Sequence, residues 1–179
     1  MPVACHAFVG TRLLCAGPLV EVAVAVRAAI PSEPLLVFDD ATGKVIDLDL
    51  RGSEEEVSAR YFDDEETARG RGRPKLGVVG REVTLLPRHW DWLAAQPGGA
   101  SVALRKLVDA ARKQNEQADR DRAARDRAYR FLHALAGDLP DFEAASRALF
   151  AGDRDGLEAC LAGWPEDVGD YVRKLLDEG

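Results

Sequence analysis

An α+β fold, with a small sheet at its start and helices thereafter, is predicted by three features of the 179-residue sequence. Short apolar runs bounded by Gly, Pro or Asp recur over the first 50 positions and read as strands. From Ser101 onward apolar residues instead recur at i, i+3, i+4 and i+7, the spacing of a helix face. Between these patterns, Asp63-Asp64-Glu65-Glu66 and the glycines Gly70 and Gly72 carry no apolar periodicity and read as a linker. The chain thus divides into a small β-β-α-β-β-α domain over residues 1–62 and an acidic-then-basic linker over 63–75. A strand-helix-helix segment over 76–115 follows, then a charged helix and a C-terminal helical region over 116–179.

Each element has a local reason. Ala7 to Cys15 holds two strands around a turn at Gly10-Thr11. Pro18 suits the first position of a helix, where a missing N–H is no loss, and Leu19, Val22, Ala23, Val26 and Ala29 give that helix an apolar face. Residues 35–38 and 45–50 are apolar runs that read as a hairpin around Asp39-Asp40-Ala41-Thr42-Gly43-Lys44. Ser53 with Glu56 forms a capping box that starts a helix running to about Tyr61. Val79, Arg81, Val83 and Leu85 alternate as in a strand over 76–86 until Pro87 opens a short helix with Trp90, Leu93 and Ala94 on one face. Pro97-Gly98-Gly99 turns the chain, and Ser101 is the candidate N-cap of a helix carrying Leu104, Leu107, Val108 and Ala111. Arg112 to Arg130 is charged, with Asp121 and Arg125, and Asp126 and Arg130, at i, i+4 spacing, the pattern of a solvent-bridging helix. Apolar stripes at Leu132, Phe142, Leu157 and Tyr171 mark further helices, an acidic region expected to serve in interaction or dimerisation.

Charge is distributed in blocks. Residues 1–66 carry 5 basic and 13 acidic side chains, residues 67–130 carry 15 and 7, and residues 131–179 carry 4 and 11. The overall −7 therefore hides a middle of +8 between acidic ends of −8 and −7. A local field of this kind decides which polyanion is attracted and where.

Several classes fit the sequence poorly. Residues 35–39 place Asp39 at the end of an apolar strand, where haloacid-dehalogenase-type phosphatases hold their nucleophile, but the second aspartate they need is Ala41 here. Aspartates in a Gly-containing turn ordinarily bond the local backbone, so no catalytic residue and no enzyme is expected. Cys5, Cys15 and Cys160 are odd in number and lack metal-ligand spacing, which points to free thiols in a cytoplasmic protein with no metal and no cofactor. No leader-like segment and no apolar window of about 18 residues occurs, so no membrane association is expected. No small-molecule substrate is evident.

The basic middle carries the candidate site. Arg71-Gly72-Arg73-Pro74-Lys75 resembles the AT-hook, an extended arm whose arginines sit in the narrow minor groove of A·T-rich DNA. The strand and two helices behind it resemble the ribbon-helix-helix fold, in which paired strands of two subunits enter the major groove. That resemblance implies a homodimer, with Thr84 reading bases, Arg81 on phosphate, and Ser101, Arg105 and Lys106 meeting phosphate at the second helix. Trp90 and Trp92 read as core or dimer-interface residues.

Longer stretches point elsewhere. Phe8-Val9-Gly10-Thr11-Arg12-Leu13-Leu14, Val37-Phe38-Asp39-Asp40-Ala41-Thr42-Gly43 and Glu82-Val83-Thr84-Leu85-Leu86-Pro87-Arg88-His89-Trp90-Asp91-Trp92 resemble a bacterial family known as domain of unknown function 2239. So do residues 71–79 and Ala136-Gly137-Asp138-Leu139-Pro140. The resemblance spans nearly the whole chain and implies no activity, cofactor or catalytic residue. The functional expectation rests on the residues themselves: a non-catalytic protein binding double-stranded DNA, in the manner of a transcriptional regulator. The alternative is an interaction or adaptor protein whose basic middle binds an acidic partner.

Overall fold

β1 (Ala4–Val9) is the strand around which the N-terminal part is built. It pairs antiparallel with β2 (Arg12–Pro18) on one side and with β3 (Leu35–Asp39) on the other, giving the order β2-β1-β3. This computed structural model describes residues 3–29, 33–62 and 79–177. They fall into two compact units, one formed by residues 1–65 with 120–179 and the other by residues 66–119.

In the first unit β1 is covered on both faces. Cys5 and Ala7 join Val37 of β3 and Val22 and Val26 of α1 (Leu19–Ala29) in one apolar cluster. Phe8 and Phe38 join the other, built with Phe131, Leu132, Leu149, Leu157, Val172 and Leu175. Its centre is aromatic: the Phe38–Phe131 and Phe131–Tyr171 ring centroids lie 4.9 and 4.7 Å apart, both edge to face, the favoured arrangement of aromatic pairs.

The second strand of the expected hairpin does not form. Phe38 and Val45 make an isolated bridge, and Ile46 donates to the Val37 carbonyl at 2.7 Å, after which the chain leaves the sheet. Side chains of α2 (Glu54–Tyr61) take up the backbone there instead. The Tyr61 hydroxyl accepts from Asp49 N–H, and Arg60 donates to the carbonyls of Asp49 and Arg51. Ile46, Leu48 and Leu50 still pack on the α1 side of the sheet. The capping box at the start of α2 forms as the sequence indicates, with Ser53 Oγ accepting from Glu56 N–H and Glu56 accepting from Ser53 N–H.

After α3 (Pro87–Ala94), one helix, α4 (Gly99–Leu135), runs for 37 residues. It fuses the helix expected from Ser101, the charged stretch and the helix expected around Leu132. Neither Gly nor Pro occurs between positions 100 and 136, and frequent alanines keep helix propensity high throughout, so nothing stops it. The last part of α4 lies in the first unit, as do α5 (Phe142–Ala151), α6 (Arg154–Leu161) and α7 (Glu166–Asp177). The C-terminal helices expected to stand as a separate region thus share one core with the N-terminal sheet. Phe8 and Phe38, buried on the sheet face away from α1, require that cover.

The second unit departs most from expectation. Residues 79–86 form no strand, because no other segment among the described residues pairs with them. The helix after them begins as the sequence indicates, with Pro87 at its first turn.

The turn between Asp39 and Lys44 is held locally and from α4. Asp39 accepts from Ala41 N–H and from the Thr42 hydroxyl, both at 2.8 Å, as turn aspartates do. Gly43 has φ +67°, and a Cβ there would come within 2.2 Å of the Arg127 carbonyl oxygen. Gly43→Ala is therefore expected to lower stability by about 3 kcal/mol or more, combining left-handed strain with overpacking. Urea denaturation checks this: an unchanged midpoint would contradict the close approach of turn and helix.

Candidate functional site

Two groups of polar residues stand out, one in each unit. The first is a buried network that closes around Asp40. This residue follows β3, and its N–H donates to the Ala4 carbonyl at 3.0 Å, which sets the carboxylate under the sheet. His6 reaches it from β1, with Nδ1 at 2.8 Å from Oδ1. Tyr171 and Lys174 reach it from α7, where their i, i+3 spacing puts both on one face. The Tyr171 hydroxyl donates to Oδ1 and the Lys174 ammonium to Oδ2, each at 2.8 Å.

Lys174 Nζ is also 3.3 Å from His6 Nε2. An ammonium only donates, so Nε2 is the acceptor and Nδ1 carries the hydrogen given to Asp40. The imidazole also stacks on the Tyr171 ring at 4.4 Å between centroids.

Burial alone would raise the Asp40 carboxyl, but hydrogen bonds from His6, Lys174 and Tyr171 outweigh it and hold the group at about 2. Burial, then the Asp40 charge, pushes the Tyr171 hydroxyl well above the usual phenol range, so it remains a donor. Burial, with Asp40 and Asp39 nearby, pushes the Cys5 thiol up to about 12. Cys5 is therefore a packing residue at neutral pH rather than a thiolate nucleophile. The network ties α7 to the sheet through a satisfied buried carboxylate. Arg127 of α4 adds to this by donating from Nε to the Leu175 carbonyl at 2.7 Å, a cation at a helix C-terminus.

Sequence reasoning did not find this network. It treated Asp39 and Asp40 alike as turn residues, which holds for Asp39 alone. The residues that recruit Asp40 stand 131 and 134 positions away on α7, and no local pattern links them.

The second group lies in the basic middle. Arg71, Gly72, Arg73, Pro74 and Lys75 fall outside the described residues. Arg81 and Thr84 are exposed, in a segment without strand pairing. Ser101 is not the N-cap, because α4 already begins at Gly99, after a turn in which Gly98 and Gly99 adopt positive φ. Its carbonyl instead accepts from Arg105 Nε at 3.0 Å.

Arg105 and Lys106 are exposed, and so are Arg112 and Lys113, which belong to the charged stretch read as a solvent-bridging helix, with phosphate-tracking arginines as the sharper reading. At 3.6 residues per turn these four fall within an arc of about 120° on α4. Asp109 and Glu116 share that arc. The apolar positions Leu104, Leu107, Val108 and Ala111 occupy a second arc of about 100°, separated from the first by about 100° on one side and about 40° on the other, where Arg112 neighbours Val108. The basic arc offers a row of flexible cations suited to phosphate oxygens.

Such a chain, a small antiparallel sheet capped by helices with a basic helical middle, belongs to a family described as "Uncharacterized protein conserved in bacteria (DUF2239)". The family match covers residues 4–176 and so includes both units. No curated protein and no solved structure matches the chain.

Removing the network's carboxylate should be costly. Asp40→Ala leaves His6, Tyr171 and Lys174 facing an empty site and is expected to cost about 3–5 kcal/mol. The native carboxyl is held below its unfolded value. Its contribution, roughly 2 kcal/mol, is therefore complete above the unfolded value near pH 4 and lost as pH falls toward 2. Urea titrations at stepped pH should show an acid limb that flattens in Asp40→Asn. An equally steep limb in that variant would assign the acid sensitivity to other carboxylates.

Proposed function

We propose that the protein binds double-stranded DNA without catalysis, through the basic middle of the chain. One observation carries this reading: residues 67–130 hold +8 between acidic segments, and four cations of that middle are exposed along one arc of α4. Among the described residues no ion pair engages Lys106, Arg112 or Lys113, and Arg105 spends only its Nε on its own helix. These side chains keep their donors for phosphate. Asp109 and Glu116 in the same arc reduce the field, so affinity depends on several phosphate contacts acting together.

The acidic remainder of the chain repels a polyanion and leaves the basic middle as the place of contact. In this reading Arg71, Gly72, Arg73, Pro74 and Lys75 form an arm that enters an A·T-rich minor groove. Arg81 serves as a backbone contact beside it, and Thr84 is placed to reach bases. A role in transcriptional regulation follows from that contact.

Neutralised phosphates release counterions, so log affinity should fall against log salt by about 0.9 per contact. Replacing both Arg105 and Lys106 by Ala is expected to weaken binding to all sequences alike and to reduce the slope by roughly 2. Replacing Arg71 and Arg73 by Ala should instead remove any preference for A·T-rich duplex. Fluorescence anisotropy of labelled duplexes reads both effects. The reading fails if the full chain gives no binding at low salt, and capture of the basic middle by an acidic protein would then replace DNA as the partner.

A further inference from the structure

We propose that the cleft lined by α4, α5, α6 and α7 is a binding site for a small amphipathic carboxylate. The cleft lies wholly within the first unit and has a volume of about 280 Å³. That is near the lower end of the volumes of small-molecule sites, so it suits a ligand of few atoms. Its floor is apolar. Ala124 of α4, Leu149 of α5 and Leu157 of α6 are nearly closed to solvent, and Leu176 of α7 is half-buried beside them. Leu149 and Leu157 also belong to the main core of the unit, which fixes the floor from beneath.

Charge at the rim selects the head group. Asp121 and Arg125 stand one turn apart on α4, and Asp153 and Arg154 stand at the start of α6. Three of these four are committed elsewhere. Asp153 accepts from Gly156 N–H at 2.9 Å as the cap of α6, Arg154 is bonded to Asp177, and Asp121 has contacts of its own. Arg125 is half-buried and makes no hydrogen bond or ion pair among the described residues. A partly desolvated guanidinium with free donors is matched by a carboxylate, which can accept two of its N–H groups side by side. A head group at Arg125 leaves the alkyl carbons to lie over Ala124, Leu149 and Leu157, where they remove apolar surface from water. Asp121 and Asp153 oppose an anion, so the charge of Arg125 binds it only with the help of the apolar floor. Inorganic anions lack the carbons for that floor, and alcohols lack the charge.

Hexanoate is the probe, titrated into the full chain and followed by amide NMR. It should saturate with Kd on the order of 1 mM, the range for a ligand of about eight non-hydrogen atoms. The amides of Gly152, Leu157 and Leu176 should shift, and inorganic phosphate at the same concentration should not move them. R125Q should weaken hexanoate by about tenfold, as loss of a charge-assisted pair does, and leave hexanol unchanged. D153N keeps a capping side chain at the start of α6 but removes a negative charge from the rim, so it should tighten hexanoate. Neither substitution removes a core contact, so urea midpoints should stay near the native value. Absence of saturation well above that concentration overturns the proposal, as does equal affinity in R125Q. Phosphate shifts matching those of hexanoate would remove the role of the floor and overturn it too. Tighter binding of hexylammonium than of hexanoate would make the cleft a site for an amphipathic cation, with the two aspartates rather than Arg125 selecting the ligand.

Discussion

Everything in the first unit follows from burying β1 on both faces. A central strand of six residues carrying Cys5, Ala7, Phe8 and Val9 needs two covers, and the chain supplies them from places far apart in sequence. α1 follows β2 directly and closes the Cys5–Ala7 face. The Phe8–Phe38 face waits for Phe131, Tyr171 and Leu175, more than 90 residues later. That delay is why the two ends of the chain form one unit. Long-range closure of this kind is entropically costly, and the edge-to-face aromatic cluster supplies much of the apolar gain that offsets it.

The Asp40 network sits at the same junction and adds direction to it. Apolar packing alone lets a helix slide or rotate over a sheet at modest cost. A buried carboxylate that takes donors from β1 and from two positions of α7 has one satisfactory arrangement. Any rotation of α7 that removes Tyr171 or Lys174 leaves a charge buried without its partners. The stability such a group adds over an apolar replacement is small or negative, so its value here lies in selecting one placement of the last helix. The Arg127 contact with the Leu175 carbonyl fixes the same helix from the side of α4.

What was legible in the sequence was local. The β1–β2 hairpin, α1, the capping box at Ser53 and the bonding of Asp39 to its own turn each depend on neighbours within a few positions. What was hidden depended on distant groups. The run over 45–50 alternates like a strand, but Tyr61 and Arg60 take its backbone before a ladder extends. The charged stretch from Arg112 read as a solvent-bridging helix, and what was hidden is that it continues the helices on both sides of it, since no breaker interrupts the run. Asp40 looked like its neighbour Asp39, and only the fold separates them. Of the candidate interface, the exposure of Arg105 and Lys106 was legible from composition. Arg112 and Lys113 join them only because α4 continues in register past Ala111.

The two units differ in charge and in how much of each is buried. In the first, acidic side chains crowd a surface around a complete core, and the few cations near that core are committed: Arg130 to the Thr42 carbonyl, Arg173 to Glu158, Lys174 to Asp40. Among the described residues of the second, only Leu93 and Ala103 are buried, and Arg105, Lys106, Arg112 and Lys113 of α4 are exposed. The chain thus commits cations to internal contacts in one region and displays them in another. On α4 the exposed cations Arg105, Lys106, Arg112 and Lys113 share their arc with Asp109 and Glu116, beside an apolar arc whose Leu107 and Val108 are exposed.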